Sequence, residues 1–136
     1  MAVFNKFNSF VEAVAEKVHD LGADQLTLAL TNVAPVAGNT VLANITEISY
    51  TNLSTRNLTR TSSSQTAGLY RLIVADLTLT STGGSTGPFR YVVVYNSTAA
   101  GGPLIGWYDY GTALTLNSGE SLSVDFDQVN GLLTLQ

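Results

Sequence analysis

Cysteine is absent from the 136 residues. That excludes disulfides, a thiol nucleophile and any thiolate metal site. Histidine occurs once, as His19. A catalytic histidine needs a nucleophile and an orienting acid, and no local motif supplies either; the place expected for His19 is the last turn of a helix, facing free carbonyls. Charged side chains make up 12% of the chain, about half the usual share. Lys and Arg number 6 against 10 acidic residues, for a net charge of −4. Phosphate backbones are gripped by Lys and Arg, so nucleic acid is not an expected partner. No apolar run approaches the ~20 residues of a spanning helix, so no membrane is expected either. The first residues also lack the compact apolar stretch and small-residue cleavage site of a secretory signal.

In place of charge stand 17 Thr, 12 Ser and 12 Gly, a surface poorly protected against association. The length fits one domain, residues 1–136. Helical periodicity is confined to the beginning, where Phe7, Phe10, Val11, Val14, Val18 and Leu21 recur every three or four residues. The spacing predicts a helix over 5–21, with Ser9 and Glu12 as a capping box and Gly22 as its stop. Beyond it the period is two. "QLTLALT" sets Leu26, Leu28 and Leu30 against Thr27 and Thr31. "EISYT", "LYRLIVADLTLT", "FRYVVVYN", "LIGWYDY", "ALTLN", "SLSVDFD" and "LLTLQ" follow, the longest needing a bend at Ala75–Asp76. Residues 52–67 read as a polar loop with one edge strand. The expected fold is all-β: an antiparallel β-sandwich or jelly-roll-like domain over 25–136, with one N-terminal amphipathic helix. Its expected core holds Leu26, Leu28, Leu30, Leu72, Val74, Tyr91, Val93, Leu122, Val124 and Phe126, with the helix seated through Phe10, Val14 and Val18.

Six of the twelve aromatic rings fall between Phe89 and Gly111: Phe89, Tyr91, Tyr95, Trp107, Tyr108 and Tyr110. Strict alternation places Phe89, Tyr91, Val93 and Tyr95 on one face, with Arg90, Val92 and Val94 on the other. Paired strands select such residues, so these rings are expected in sheet packing and subunit contacts rather than in an active site. Asp125 and Asp127, two apart with Asp109 as a third member, are a conceivable acid–base pair or calcium site. "DFDQVNG" lacks a calcium loop's dense ligand run, and solvent-side charges that protect a strand are the expected role. "STGGSTGP" has the glycines of a phosphate loop without its Lys–Ser/Thr or a following helix, and reads as a strand connection. Asn44, Asn52, Asn57 and Asn96 each open an Asn-x-Ser/Thr triplet, as chance provides in such a composition. Glu12, Glu16 and Asp20, spaced by four, form an acidic ridge that is either a solvated face or a dock for a basic surface. No metal, no cofactor and no catalytic residue is expected.

Three stretches carry a resemblance: "FNKFNSFVEAVAEKVHDLG" leading into "LTLALTNVAPVAGNTVLANITEI", "GPFRYVVVYN", and "PLIGWYDYG" leading into "LNSGESLSVDF". Together they make most of the chain resemble small virion structural proteins of tailed bacteriophages, similar to the capsid decoration, or cement, proteins. The resemblance implies a non-enzymatic β-sandwich that works through surfaces. It would stabilise the lattice of the major capsid protein, or join other virion proteins, as a homo-oligomer (a trimer ahead of a dimer). Its location would be the virion, after assembly in the host bacterial cytoplasm. The expected assembly contacts are Glu12, Glu16, Asp20, Tyr95, Trp107, Tyr108 and Tyr110. A tail, neck or fibre component is the nearest alternative. A carbohydrate-binding module using Trp107, Tyr108 and Tyr110, or a small β-barrel enzyme, are further ones.

Overall fold

In the computed structural model, which describes residues 2–136, the period-two segments become antiparallel strands and the helix is the only one of any length. The order is β1 (Phe4–Lys6), α1 (Asn8–Ala15), β2 (Leu26–Thr31), β3 (Arg60–Thr66), β4 (Leu69–Val74), β5 (Leu77–Thr80), β6 (Thr86–Asn96), β7 (Leu104–Leu116), β8 (Ser121–Val124) and β9 (Leu133–Leu135). One sheet runs β1-β7-β6-β2, a second β3-β4-β9, and β5 pairs with β8. Leu28, Leu30, Val92, Val94 and Ile105 from the first sheet share one apolar cluster with Leu72, Val74, Leu79, Val124 and Leu133 from the others. That shared filling is the core of an antiparallel β-sandwich.

The first sheet is apolar on both faces because both are covered. On the side away from the sandwich, Phe7, Ala29, Ile45, Val93, Tyr95 and Leu104 form a second cluster, with Leu42 and Trp107 against it. Alternation along β2 thus holds with apolar or buried neighbours both ways: Leu26, Leu28 and Leu30 face the sandwich, while Thr27 and Thr31 are buried opposite. The break expected at Ala75–Asp76 is present. There the chain leaves one sheet for the next, pinned by Asp76 Oδ1, which accepts from the Phe126 backbone N–H at 2.8 Å and from Gln128 Nε2 at 3.1 Å.

Several elements differ from the sequence reading. The helix is not 5–21 but Asn8–Ala15, because Phe4–Lys6 pairs with β7 instead. Its N-cap is Phe7, without a side-chain capping bond, so the Ser9/Glu12 box does not form. Entry is fixed by tertiary bonds from the Phe7 N–H to Ile105 O (3.2 Å) and from the Asn8 N–H to Ala37 O (2.9 Å). The helix stops well before Gly22. The Val18 N–H reaches Ala13 O (2.9 Å), the Lys17 N–H reaches Val14 O (3.4 Å), and Lys17 takes φ +64°, which together make a Schellman motif. Val18 is therefore outside the helix and exposed, while Phe10 is buried and Val14 packs at the core margin. Tyr91 and Leu122 are half-buried rather than core. "EISYT" is not a strand; it lies along β2, and Leu30 O accepts from the Ile48 N–H at 3.0 Å. "LIGWYDY" and "ALTLN" are one strand, β7, with Gly111 at φ +81° between them.

Lys17 holds a left-handed conformation that strains a residue with a Cβ. Lys17→Gly is expected to stabilise the fold by about 0.5–1 kcal/mol, read as a higher denaturant midpoint with an unchanged slope. A loss of stability would mean that the lysine side chain holds the turn.

Candidate functional site

The rings expected as assembly contacts are divided between the two faces of β7, as strand alternation requires. Trp107 stacks on Phe7 with centroids 4.6 Å apart, in the cluster outside the sandwich. Tyr108 points the other way, between Phe4 (5.2 Å) and Phe126 (6.1 Å), and Tyr110 packs at the margin of the same core. Burial pushes the Tyr108 and Tyr110 hydroxyls above their ordinary value, with neighbouring Tyr110 and Asp127 adding for Tyr108 and Asp125 for Tyr110. Tyr95 is buried. Trp107, Tyr108 and Tyr110 therefore make no coplanar platform, and Tyr95 is packing rather than a contact. A cleft of about 320 Å³ does open beside Tyr108 and Tyr110, walled by Ala2, Ser123 and Asp125.

The acidic residues also separate. Strand β8 ends at Val124, so Asp125 and Asp127 are not neighbours on a strand face. Asp127 caps the following turn, accepting from the Val129 and Asn130 N–H groups, each at 2.8 Å. Asp109 is held by Arg90 through two bonds of 2.7 and 3.0 Å. Those hydrogen bonds keep both carboxyls below the ordinary carboxylate value: Arg90 foremost for Asp109, the Asn130 N–H for Asp127. Among the described residues no group of three His, Cys, Asp or Glu side chains could hold a metal ion. None of the helices is long and apolar enough to cross a membrane.

His19 lies not in a helical turn but four residues past the end of α1, 7% exposed and 5.4 Å from the ring of Phe10. Its partner is Asn96, wholly buried at the end of β6. Asn96 Oδ1 accepts from the Thr98 and Ala99 N–H groups (3.0 and 3.1 Å), which fixes the amide so that Nδ2 donates. Nδ2 gives one bond to Asp24 Oδ2 (2.6 Å) and one to His19 Nδ1 (3.1 Å). Nδ1 is then an acceptor and the imidazole is neutral, its proton on Nε2, which is buried without a partner. Burial lowers the His19 pKa, against a smaller upward pull from Asp24. This knot is structural: it ties the 19–24 turn to the end of β6. The Asn96 triplet is consumed by it.

Of the acidic ridge, only Glu12 and Glu16 share the helix wall, both exposed. Asp20 lies in the later turn, where its Oδ1 accepts from the Gly22 N–H at 3.1 Å. Among the described residues, Glu12, Glu16 and Asp125 are the carboxylates whose oxygens accept no intramolecular hydrogen bond. The helix wall borders a groove of about 560 Å³ between α1 with Phe4 and Lys6 on one side and Asn130–Leu135 on the other. Phe10, Val11, Val14, Leu132, Leu133 and Leu135 make it apolar. The strand β9 is legible as "LLTLQ", whereas β1 is absorbed into the expected helix; that both become sheet edges is set by long-range pairing.

No protein-family model matches the chain, and no curated protein or solved structure matches it.

Proposed function

We propose that this chain is a non-enzymatic structural protein of a tailed-bacteriophage particle, a head decoration or cement protein that binds neighbouring major capsid subunits and stabilises their lattice. The observation that carries the reading is the groove: two sheets end side by side on an apolar opening, beside two carboxylates that no internal donor satisfies. Such a surface is suited to being finished by another protein. The resemblance of three stretches to small virion structural proteins is what suggests the kind of particle. A closed cyclic homo-oligomer, a trimer first, is the economical way for identical subunits to present it, and many weak bridges acting together give the shell its resistance. The division of Trp107 from Tyr108 and Tyr110 across β7 weighs against the carbohydrate-binding alternative.

The test is to image particles with and without the protein and to compare their survival on heating and chelation. Particles lacking it are expected to break at lower temperature. Glu12→Lys with Glu16→Lys is expected to weaken attachment in a salt-dependent way. A position at the tail or neck would end the cement reading and keep the structural one; a free protein absent from particles would end both.

A further inference from the structure

We propose that the groove between α1 and β9 is closed by an extended, cationic segment of a second protein, added as a new strand along the free edge of β9. This names how the structural role above is carried out, and rests on that reading only for the partner's source.

The chain protects two of its sheet edges, those of β2 and β3. The outer edge of β2 is covered by residues 48–58: the Leu28 N–H reaches Arg56 O (2.9 Å), the Leu58 N–H reaches Leu26 O (2.9 Å), and the Leu30 N–H reaches the Tyr50 hydroxyl (2.9 Å). The edge strand β3 is a polar run, "RTSSSQT", suited to water. By contrast β9 pairs only with β4, β1 only with β7 and β8 only with β5, among the described residues, and of these β1 and β9 border the groove. An edge with unpaired N–H and C=O groups is a template for strand addition, and proteins ordinarily blunt it with charge or proline. Here it is apolar, "LTL". The strand itself, Leu133–Leu135, offers roughly 10 Å of extended backbone at the usual rise per residue, and Asn130–Leu132 continue the groove floor beyond it. Val11 in the helix wall is 55% exposed, and Val3 and Val129, in the segments that lead into β1 and β9, are 77% and 78% exposed. They supply apolar contact for alternate side chains of an incoming strand.

Charge selects the occupant. Glu12 and Glu16 stand one turn apart, beside groove-lining Val11 and Ala15, and Lys6 is the one basic residue of the lining. The four arginines are engaged elsewhere or inward: Arg90 on Asp109, Arg56 on Leu28 O and the Tyr50 ring, Arg60 on Asp24 O, Arg71 with a buried Nε. A second copy would bring its own Glu12 and Glu16 and a net charge of −4 to the same place, and like charges across an interface oppose docking. A strand flanked by Lys or Arg meets the opposite field.

The experiment titrates the full chain with a short blocked peptide alternating valine and lysine, and with its valine–glutamate counterpart, reading binding by calorimetry and backbone protection by hydrogen exchange. The lysine peptide is expected to bind and to protect amides of 132–135. Glu12→Lys with Glu16→Lys is expected to weaken it by about tenfold, the combined worth of two partly exposed ion pairs. Ala15→Trp, which fills the groove from an exposed helix position, is expected to abolish binding at an unchanged melting temperature. Equal binding of the two peptides, or protection outside β9, overturns the proposal. Self-association that Ala15→Trp abolishes also overturns it, assigning the groove to a second copy. If the protein sits on the phage shell but ignores the lysine peptide, this mode of attachment fails alone. If it takes the peptide but is found in no particle, the virion reading fails alone.

Discussion

Phe89→Ala is expected to lower the unfolding free energy by about 3–5 kcal/mol, the range for truncating a fully buried phenylalanine. In a chain of this length that is a fall of roughly 10–20 °C in melting temperature. Phe89 has no exposure and packs with Val92 and Val94 in the sandwich core. Simple alternation would put it on the opposite face, with Tyr91 and Val93. The pairing of β6 with β7 slips on both sides of it, between Thr86 and Phe89 and again between Phe89 and Tyr91. Gly87 permits the first slip: at φ +129° a Cβ there would lie 2.7 Å from the Leu114 carbonyl oxygen. Each slip moves side chains to the other face. Tyr91→Ala, at a half-buried position, is expected to cost distinctly less. Urea titrations of both variants, followed by Trp107 fluorescence, make the comparison. A loss under about 1 kcal/mol for Phe89→Ala would sink the bulged register.

The second large effect is expected at Asn96. Asn96→Ala strips two backbone N–H groups, the Asp24 carboxylate and the His19 ring of one shared partner. Losing these four bonds, the one to His19 buried and the others partly so, costs about 2–5 kcal/mol in sum. The same knot gives wild-type protein a pH dependence of known sign. The folded His19 pKa lies below its ordinary value of 6.5 because burial penalises the imidazolium, so the unfolded chain takes up the proton first. The stability is therefore complete above 6.5 and is lost as pH falls through the lower, folded pKa. Protonation would also force an N–H against the donating Asn96 amide. The losses tied to Asp109 and Asp127 begin only lower, since both fold with pKa values under 3.8. Chemical denaturation at a series of pH values should show an upper acid step that His19→Gln removes and a lower one that it leaves. An unchanged upper step in His19→Gln would place the titration elsewhere.

Much of this architecture could be read locally. Side-chain alternation in a strand follows from backbone geometry alone, so "QLTLALT" revealed β2 with both its faces, and a strand too long to stay in one sheet revealed the break at Ala75–Asp76. The same reasoning kept "STGGSTGP" a connection, which it is, between β5 and β6. Helical period was as clear, but the stripe from Phe7 to Leu21 overstated the helix. Residues at such spacing can be buried by other means: Phe7 by the sheet, His19 and Leu21 in the following turn. Lys17 ends α1 in a conformation that composition gives no reason to expect.

For the candidate site the division is sharper. The sequence alone determined that Glu12 and Glu16 share a helix wall, because a spacing of four returns a side chain to the same side. It also determined that β-rich segments with few charges would leave apolar surface to be covered. Only the tertiary structure decided that Asp20 is off that wall and that β1 and β9 are unguarded edges framing a groove. Those outcomes depend on which distant strands pair and where their register slips. Such long-range choices are made by the packing of the whole core, and no local pattern encodes them.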